Sequence, residues 1–258
     1  MSSKIVILTA PGFESLQWWL RKLAHEGLPS DARQVYRCRR NTIYAVTADG
    51  QKLSVKEFGI ANFTDSIVYA NWHRSKARRS LDNAITLRRL GIETPKPVGA
   101  IEVIENGRLT RSYYISRHID IVGDMRDWAA NPEANAAVGD LAALMARLHS
   151  HGVLHKDLRP DNIIIKHDRN GRRHLLVIDL NRMEFGVFDH SRQIQNFERI
   201  YPHNADETAR LARLYARFAE LDEETTVREA EEARQKYLTR ISHKRRLNAL
   251  LAHRRKKS

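Results

Sequence analysis

The sequence predicts an α+β protein: several antiparallel strands with one inserted helix in the N-terminal half, and a mainly helical C-terminal half. Two observations carry this prediction. Between residues 34 and 116, stretches of strand-like alternation are interrupted by Asp49-Gly50 and Asn106-Gly107, dipeptides typical of β-hairpin turns. From Pro132 onward, apolar residues recur at the three- and four-residue spacing of amphipathic helices.

The N-terminal half is predicted to contain two helices around its strands. A short helix is indicated at residues 13–25, with Gly27 just beyond it, and a longer helix at residues 75–90 is capped by Gly91. Pro95 stops any continuation of the second helix. Strands are predicted at residues 35–37, 42–46, 53–58, 98–105 and 109–116.

Three helices are predicted in the C-terminal half. The first ends near Ser150, and its buried stripe consists of Val138, Leu141, Met145 and Leu148. The other two are predicted at residues 206–221 and 225–252. The charge run at residues 254–257 is typical of a solvated tail and less often of a docking patch.

Composition is that of a globular protein with anionic partners. A chain of 258 residues with 42% hydrophobic content can bury a substantial core, which excludes a disordered protein. The formal net charge of +13 favours phosphates, nucleic acid or an anionic membrane surface as partners, without choosing among them. A single cysteine, Cys38, cannot form an internal disulfide, which indicates a reducing compartment.

The sequence offers no segment that would insert into a membrane. The short apolar run at residues 5–8 is not the h-region of a signal peptide, and no stretch approaches the roughly 20 apolar residues that span a bilayer. We therefore expect a cytoplasmic protein whose membrane association, if any, is peripheral.

The stretch from His151 to Asn181 contains the residues with the clearest chemical potential. Two apolar runs, at residues 163–165 and 175–178, flank Asn170-Gly171 and predict a β-hairpin. Asn162 immediately precedes the first strand and Asp179 immediately follows the second, so antiparallel pairing would bring both to the same open end. An amide oxygen and a carboxylate placed together there could bind Mg²⁺, which prefers oxygen ligands.

Asp157 is the candidate catalytic base. It lies on the loop that leads into the hairpin, where its carboxylate could orient an acceptor hydroxyl and take its proton. Lys156 and Arg159 could offset phosphate charge, and we expect His155 to brace the loop backbone. Each residue alone is common as a turn or cap residue, but their joint spacing favours a phosphoryl-transfer site.

This stretch resembles the catalytic and metal-binding loops of protein-kinase-like phosphotransferases, with Asp179-Leu180-Asn181 where that superfamily commonly has Asp-Phe-Gly. Within the superfamily, the sequence is most similar to bacterial lipopolysaccharide core kinases, which phosphorylate Kdo or heptose of the inner core. The resemblance extends from about residue 34 to residue 197. Besides the catalytic loop, its motifs are Arg40-Asn41, Val55-Lys56, Arg74-Ser75-Lys76-Ala77, Leu90-Gly91-Ile92, Thr94-Pro95 and Ile178-Asp179-Leu180-Asn181-Arg182-Met183.

The resemblance implies a protein-kinase-like two-lobe fold that uses ATP and Mg²⁺. It implies an N-terminal helical extension at residues 1–30, a nucleotide-binding lobe at residues 31–116, and a lobe with the catalytic loop and acceptor site at residues 117–258. The loop at residues 37–41 departs from the pattern, because it lacks the glycines that usually cover the nucleotide.

The resemblance also assigns residues to the nucleotide. Lys56 matches the lysine that contacts the nucleotide phosphates, and Asp82, the only carboxylate of the helix at residues 75–90, would be its ion-pair partner in place of a glutamate. Ser116, Arg117 and Ile119 occupy the inter-lobe hinge, whose backbone groups bind adenine in such kinases.

The acceptor implied by the resemblance is a lipopolysaccharide core sugar or glycolipid. The chain lacks the Ala-Pro-Glu motif of protein kinases, which argues against a long peptide-docking surface. A polyanionic acceptor at an anionic membrane surface agrees with the positive charge, and implies a peripheral location at the inner face of the inner membrane. An atypical protein kinase and a pseudokinase regulator remain as alternatives. A nucleic-acid-binding module is less favoured, because no binding motif accompanies the cluster Lys244-Arg245-Arg246.

Overall fold

The computed structural model describes residues 3–38, 41–59, 74–126 and 132–255, and the chain forms two compact units. Unit 1 consists of Met1–Asp120 and Leu176–Arg182, and unit 2 of Ile121–Leu175 and Met183–Ser258. The internal segment Leu176–Arg182 therefore belongs to unit 1, although the residues on both sides of it in sequence belong to unit 2.

Unit 1 is built on an antiparallel sheet. In the described residues its strands are β1 (Ser3–Thr9), β2 (Arg33–Cys38), β3 (Asn41–Ala48), β4 (Gln51–Phe58), β5 (Pro97–Glu105) and β6 (Arg108–Arg117). Their order across the sheet is β1-β5-β6-β4-β3-β2. Asp49-Gly50 and Asn106-Gly107 form the tight turns of the two predicted hairpins, with φ positive at both positions of each turn. Both hairpins are confirmed.

The edge strand β1 is an element that the sequence analysis did not assign. It pairs with β5 from Ser3 opposite Glu105 to Thr9 opposite Gly99. A Cβ atom at Gly99 would lie 2.6 Å from the carbonyl oxygen of Leu8. Glycine is therefore required at this position for the backbone of β1 to approach β5.

Two helices of unit 1 are α1 (Gln17–Glu26) and α2 (Lys76–Arg89). Helix α2 begins where Ser75 Oγ accepts a hydrogen bond from the Arg78 amide at 3.1 Å, a standard N-cap. It ends before Gly91, whose φ is +68°. Its buried side chains are Ala77, Ser80, Leu81, Ala84 and Leu87. Both predicted helices are confirmed, and the face buried by α2 follows helical spacing.

Residues 176–182 are bound to unit 1 by backbone and side-chain hydrogen bonds. The Val177 amide donates to the Glu93 carbonyl at 3.0 Å, and Thr94 Oγ1 donates to the Val177 carbonyl at 2.8 Å. Asn83 of α2 donates from Nδ2 to the Leu180 carbonyl at 2.6 Å. These bonds fix the backbone on both sides of Asp179.

Unit 2 is mainly helical and also contains short strands. The strands are β7 (Gly123–Asp124), β8 (Val153–His155), β9 (Ile163–His167), β11 (Met183–Phe185) and β10 (Arg173–Val177), the last two residues of which are counted in unit 1. The helices are α3 (Pro132–Ala136), α4 (Val138–Ser150), α5 (His190–Ile194), α6 (Ala205–Ala219) and α7 (Glu223–Arg255). Strand order is β10-β9-β7 in one small sheet and β11-β8 in the other.

The core of unit 2 lies where α4 and α6 pack together. All four residues of the predicted α4 stripe are fully buried, and Leu211 and Tyr215 of α6 are buried as well. Burying a large apolar side chain contributes about 1.5–3 kcal/mol, so this interface supplies much of the stability of the unit. No helix among the described residues combines the length and the hydropathy that crossing a membrane requires.

The predicted hairpin within residues 163–178 is confirmed as β9 and β10. Its turn is closed by Asp168, whose Oδ1 accepts hydrogen bonds from the amides of Asn170 and Arg172, both at 2.9 Å. Gly171 has a φ of +74°, which glycine adopts without strain.

Candidate active site

Asp157 lies on a short loop of unit 2, here called the Asp157 loop (residues 155–162), that connects β8 to β9. Strand β8 pairs with β11, and His155 is opposite Met183. A 3₁₀ turn at Pro160–Asn162 ends the loop directly before β9. Two strands therefore fix the loop at its ends.

Buried side chains brace the backbone of this loop. His155 is completely buried, and its Nδ1 accepts a hydrogen bond from the Asp157 amide at 3.1 Å. Asn162 donates from Nδ2 to the Asp157 carbonyl at 2.8 Å. Both backbone groups of Asp157 are thus bonded, and the expected bracing role of His155 is confirmed.

The carboxylate of Asp157 is bound by an arginine that the sequence analysis missed. Arg199 donates from Nη1 to Asp157 Oδ1 at 2.7 Å, and Arg159 Nε lies 3.7 Å from the same oxygen. The Asp157 side chain is 16% exposed, so it is partly accessible to solvent. Arg199 is 42 residues from Asp157 in sequence, and no local motif marks it.

Arg199 is itself fixed by other groups. Its Nε donates to Glu198 Oε1 at 3.2 Å, and its guanidinium lies 5.3 Å from the centre of the Tyr237 ring. Burial lowers the pKa of Arg199, but hydrogen bonds to Glu198 and Asp157 outweigh burial, and the net pKa is raised. Glu198 also accepts a hydrogen bond from Arg240 of α7.

The two cations of the Asp157 loop are paired within unit 2. Lys156 Nζ lies 3.1 Å from Glu184 Oε2, and Arg159 donates from Nη2 to Asp161 Oδ2 at 2.9 Å. Both side chains are roughly half exposed, so they could reorient toward a phosphate.

A series of hydrogen-bonded buried side chains connects the Asp157 loop to the core of unit 2. Asn196 donates from Nδ2 to the His155 carbonyl at 3.4 Å, and its Oδ1 lies 3.2 Å from His149 Nε2. His149 Nδ1 lies 2.8 Å from the Tyr215 hydroxyl. Burial lowers the pKa of His149 to about 4, against an opposing effect of the Asn196 hydrogen bond. His149 is therefore a neutral structural residue at pH 7.

In unit 1, Lys56 of β4 forms an ion pair with Asp179. Lys56 Nζ lies 2.6 Å from Asp179 Oδ1, with side-chain exposures of 18% and 24%. The ammonium also lies 5.2 Å from the centre of the Phe58 ring, within cation–π range. The structure thus brings together two predicted site residues that are 123 positions apart in sequence.

The predicted ion pair between Lys56 and Asp82 is wrong in this structure. Asp82 instead accepts a hydrogen bond from Arg74 Nη1 at 2.9 Å, and its side chain is 38% exposed. Asp82 is the only carboxylate of α2, but position on a helix does not specify the direction of a side chain. The neighbouring Asn83 of α2 donates a hydrogen bond to the Leu180 carbonyl, next to Asp179.

Asp179 has an unusual backbone conformation. Its φ is +59°, a left-handed value that few residues other than glycine adopt and in which Asp and Asn are enriched. Asn181 donates from Nδ2 to Asp179 Oδ1 at 2.8 Å. A strained conformation at a bonded carboxylate is typical of functional sites.

The two predicted magnesium ligands offer suitable donors, each within its own unit. Asn162 uses Nδ2 for the loop backbone, which leaves its Oδ1 as the atom to offer a cation. Asp179 of unit 1 supplies a partly exposed carboxylate. One amide oxygen and one carboxylate fit Mg²⁺, which keeps waters and phosphate oxygens as further ligands. The described residues contain no cluster of three or more His, Cys, Asp or Glu side chains suited to a metal.

The predicted hinge residues follow the end of the sheet. Ser116 and Arg117 lie in β6, where Ser116 is opposite Ser54 and the Arg117 amide donates to the Lys96 carbonyl at 2.8 Å. Ile119 lies beyond the strand and is partly exposed. In the predicted nucleotide-covering loop, Arg39 and Arg40 fall outside the described residues.

The sequence matches a known family over most of its length. Residues 32–237 match the model of the lipopolysaccharide kinase (Kdo/WaaP) family. A segment of 58 residues is 33% identical to a serine/threonine-protein kinase of Drosophila yakuba. That match covers 22% of this chain and 7% of that kinase, so the chain spans only a small part of this relative.

Solved structures share the fold. WaaP in complex with acyl carrier protein is similar with a TM-score of 0.59 at 19% identity, covering 91% of this chain and 99% of that chain. A microcompartment-associated aminopropanol kinase is similar with a TM-score of 0.56 at 13% identity, covering 84% of this chain and 86% of that chain. The α+β, protein-kinase-like fold predicted from the sequence is confirmed.

Proposed function

The chain belongs to the lipopolysaccharide kinase (Kdo/WaaP) family, and on that premise we propose that it transfers the γ-phosphate of ATP to a hydroxyl of Kdo or heptose in the lipopolysaccharide inner core. Membership makes the protein a kinase, and therefore a nucleotide-using phosphotransferase.

The observation that carries the proposal is the fixed position of Asp157. His155 and Asn162 bond its backbone, and Arg199 bonds one carboxylate oxygen. A carboxylate oriented in this way could accept a hydrogen bond from the acceptor hydroxyl. In the proposed step, the hydroxyl oxygen forms a bond to the γ-phosphorus, the bond from that phosphorus to the β–γ bridging oxygen breaks, ADP leaves, and the hydroxyl proton passes to Asp157.

We assign the nucleotide to residues of unit 1. Lys56 would contact the phosphates, exchanging part of its interaction with Asp179 for the phosphate oxygens. The hinge residues Ser116, Arg117 and Ile119 would bind adenine through the backbone. Because the Arg117 amide already donates to Lys96, the hinge contact is best placed at Ile119.

We assign Mg²⁺ to Asn162 and Asp179. Bound there, the ion would neutralise charge on the β- and γ-phosphates. The support is the donor chemistry described above, in which each residue offers an oxygen. The protein would hold these oxygens in place through the Asn162 bond to the loop backbone and the Asn181 bond to Asp179.

We also propose peripheral contact with an anionic membrane surface, at the cytoplasmic face of the inner membrane. The formal charge of +13 supports this assignment. On α7, residues 242–249 are exposed and include Lys244, Arg245 and Arg246. Co-sedimentation with anionic vesicles, but not with zwitterionic ones, is the expected result, and binding to neither would contradict this part of the proposal.

Transfer of radiolabelled phosphate tests the function directly. Wild-type protein should transfer label from ATP to deacylated inner-core oligosaccharide, and Asp157→Ala protein should not, because the hydroxyl loses its proton acceptor. Equal transfer by the two proteins would overturn the assigned base. Label found on polypeptide alone would replace the sugar acceptor with a protein.

A pair of substitutions separates binding from chemistry. Asp179→Ala should abolish Mg²⁺-dependent nucleotide binding, because a metal-ligating carboxylate is lost. Asp157→Asn should leave nucleotide affinity unchanged and lower kcat by about a hundredfold or more. Calorimetric titration with ADP, with and without Mg²⁺, measures the first effect. Retained Mg²⁺-dependent binding by the Asp179 variant would contradict its assigned role.

A further inference from the structure

Unit 2 contains a cleft that the proposed chemistry does not use. The α5–α7 cleft has a volume of about 770 Å³ and lies between α7 on one side and α5 with the following 3₁₀ turn (Gln195–Arg199) on the other. This volume falls within the range of about 300–1,000 Å³ that is usual for small-molecule sites.

Two side-chain contacts join the elements that line the cleft. His190 Nε2 of α5 lies 2.7 Å from Glu229 Oε2 of α7, and Arg240 of α7 bonds Glu198 of the turn. The two α7 partners are 11 positions apart, which corresponds to about 16 Å along a helix. A short chain of sugar rings could lie along such a cleft, whereas a compact ion would fill little of it.

The lining suits a ligand with many hydroxyl groups. Ten of the twelve lining residues carry polar side chains, and Ile194 and Ala233 are the exceptions. Carboxylates such as Glu232 accept hydrogen bonds from hydroxyls, while Lys236 donates to them, and Gln235 can do both. The aliphatic stems of these long side chains supply carbon surface for the C–H faces of a sugar.

One lining residue connects the cleft to the proposed base. Glu198 lines the cleft and accepts a hydrogen bond from Arg199 Nε at 3.2 Å, and the same guanidinium donates to Asp157 at 2.7 Å. The cleft wall and the base are therefore separated by a single arginine side chain.

We propose that the α5–α7 cleft binds the hydroxyl-rich sugars next to the one that is phosphorylated. This inference rests on the proposed function, because it places part of the same acceptor. It extends that function by identifying a second binding region, away from the reacting atoms, that selects the acceptor by its neighbouring residues.

The test removes two charged side chains from the α7 wall of the cleft together. Glu232 and Lys236 are i,i+4 neighbours with a 3.6 Å contact, so the double variant Glu232→Ala/Lys236→Ala leaves neither charge unpaired. We expect its KM for deacylated inner-core oligosaccharide to rise about tenfold, with unchanged kcat and unchanged KM for ATP, because only binding of the acceptor is weakened.

The matched control lies on the same helix. Glu224 and Arg228 have the same spacing and opposite charges, are exposed, and do not line the cleft. The variant Glu224→Ala/Arg228→Ala should keep the wild-type KM for the oligosaccharide. An unchanged acceptor KM in the cleft variant, or an equal rise in the control, would overturn the proposal.

A binding measurement separates this inference from the proposed function. Calorimetry with the oligosaccharide alone, without nucleotide, should show binding by the wild-type and control proteins and about tenfold weaker binding by the cleft variant. Equal affinity of all three proteins, or no binding by wild type, would overturn the cleft assignment. If wild type binds the oligosaccharide but transfers no phosphate to it, the proposed function fails and the cleft stands.

Discussion

At the scale of single residues, the candidate site depends on hydrogen bonds that fix the position of Asp157. Asp157 is bonded through its amide, its carbonyl and its carboxylate to three different residues. Such bonding fixes the direction of a reacting group before substrate arrives, which removes an orientational cost from the chemical step. Arg199 is the member of this set that lies farthest from Asp157 in sequence.

Replacing Arg199 tests this role. Arg199→Met should lower kcat by about 10- to 100-fold, because the Asp157 carboxylate loses the hydrogen bond that orients it. Arg199→Lys should recover part of the loss, since it keeps the charge, and KM for ATP should stay unchanged in both. Steady-state kinetics measure these values. Arg217→Met, at an exposed arginine paired with Glu223, serves as the control.

The sequence could predict the parts of the site whose residues are close in the chain. The spacing from Asp157 to Asn162 and the hairpin after it are local features, and both were found. The pairs Lys56–Asp179 and Arg199–Asp157 join residues 123 and 42 positions apart. Nothing in local periodicity specifies them. The predicted pairing of Lys56 with Asp82 is wrong for the same reason. Helical spacing predicts the face on which a residue lies, but it does not predict which distant residue that side chain contacts.

At the scale of elements, the β8–β11 pair depends on a close approach of two glycines. The Gly186 amide donates to the Gly152 carbonyl at 2.9 Å, directly before β8. A Cβ atom at Gly152 would lie 2.2 Å from the Gly186 carbonyl oxygen, and the φ of Gly152 is +64°. The steric contact and the backbone conformation therefore both require glycine at position 152, directly before the strand β8 that leads into the Asp157 loop.

Gly152→Ala should destabilise the protein by about 3 kcal/mol or more, since it adds a backbone clash to the strain of a left-handed residue. Gly171→Ala is the matched control. Its φ is +74°, but a Cβ there meets nothing within 4 Å, so about 1 kcal/mol is expected. Urea unfolding at pH 7 measures both changes. Similar losses for the two variants would show that the close approach is unimportant.

The packing of α4 against α6 includes a titratable group, His149, whose pKa is lowered to about 4 by burial. Its unfolded pKa is near 6.5, so the unfolded state binds more protons between these values and stability falls as pH decreases. Protonation of this group should lower the free energy of unfolding of the wild type by on the order of 3 kcal/mol between pH 6.5 and pH 4.

Unfolding midpoints at pH 7 and pH 5 test that dependence. His149→Gln should be less stable than wild type at pH 7 and should show a weaker loss on going to pH 5, because the titrating group is absent. An unchanged pH dependence in the His149 variant would contradict the assignment.

At the scale of the whole molecule, charge is distributed unevenly along the chain. Helix α7 begins with acidic residues, and no acidic residue follows Glu232, whereas lysines and arginines continue to the end. The formal charge of +13 should speed the encounter with an anionic acceptor, and salt should weaken that effect.

With ATP saturating, kcat/KM for deacylated inner-core oligosaccharide should therefore fall several-fold between about 50 and 300 mM NaCl. Initial rates at low acceptor concentration measure this value. The thermal unfolding midpoint should change little over the same range, which would exclude unfolding as the cause. A rate that is independent of salt would show that the net charge does not steer the acceptor.

The backbone conformation of Asp179 determines which amino acids can replace it without strain. At a φ of +59°, alanine would combine loss of the carboxylate with a conformational penalty, whereas asparagine tolerates this region almost as well as aspartate. Asp179→Asn is thus nearly isosteric and backbone-neutral, and removes the negative charge together with one acceptor oxygen. Comparing the asparagine and alanine variants would divide the effect of losing Asp179 into an electrostatic share and a conformational share.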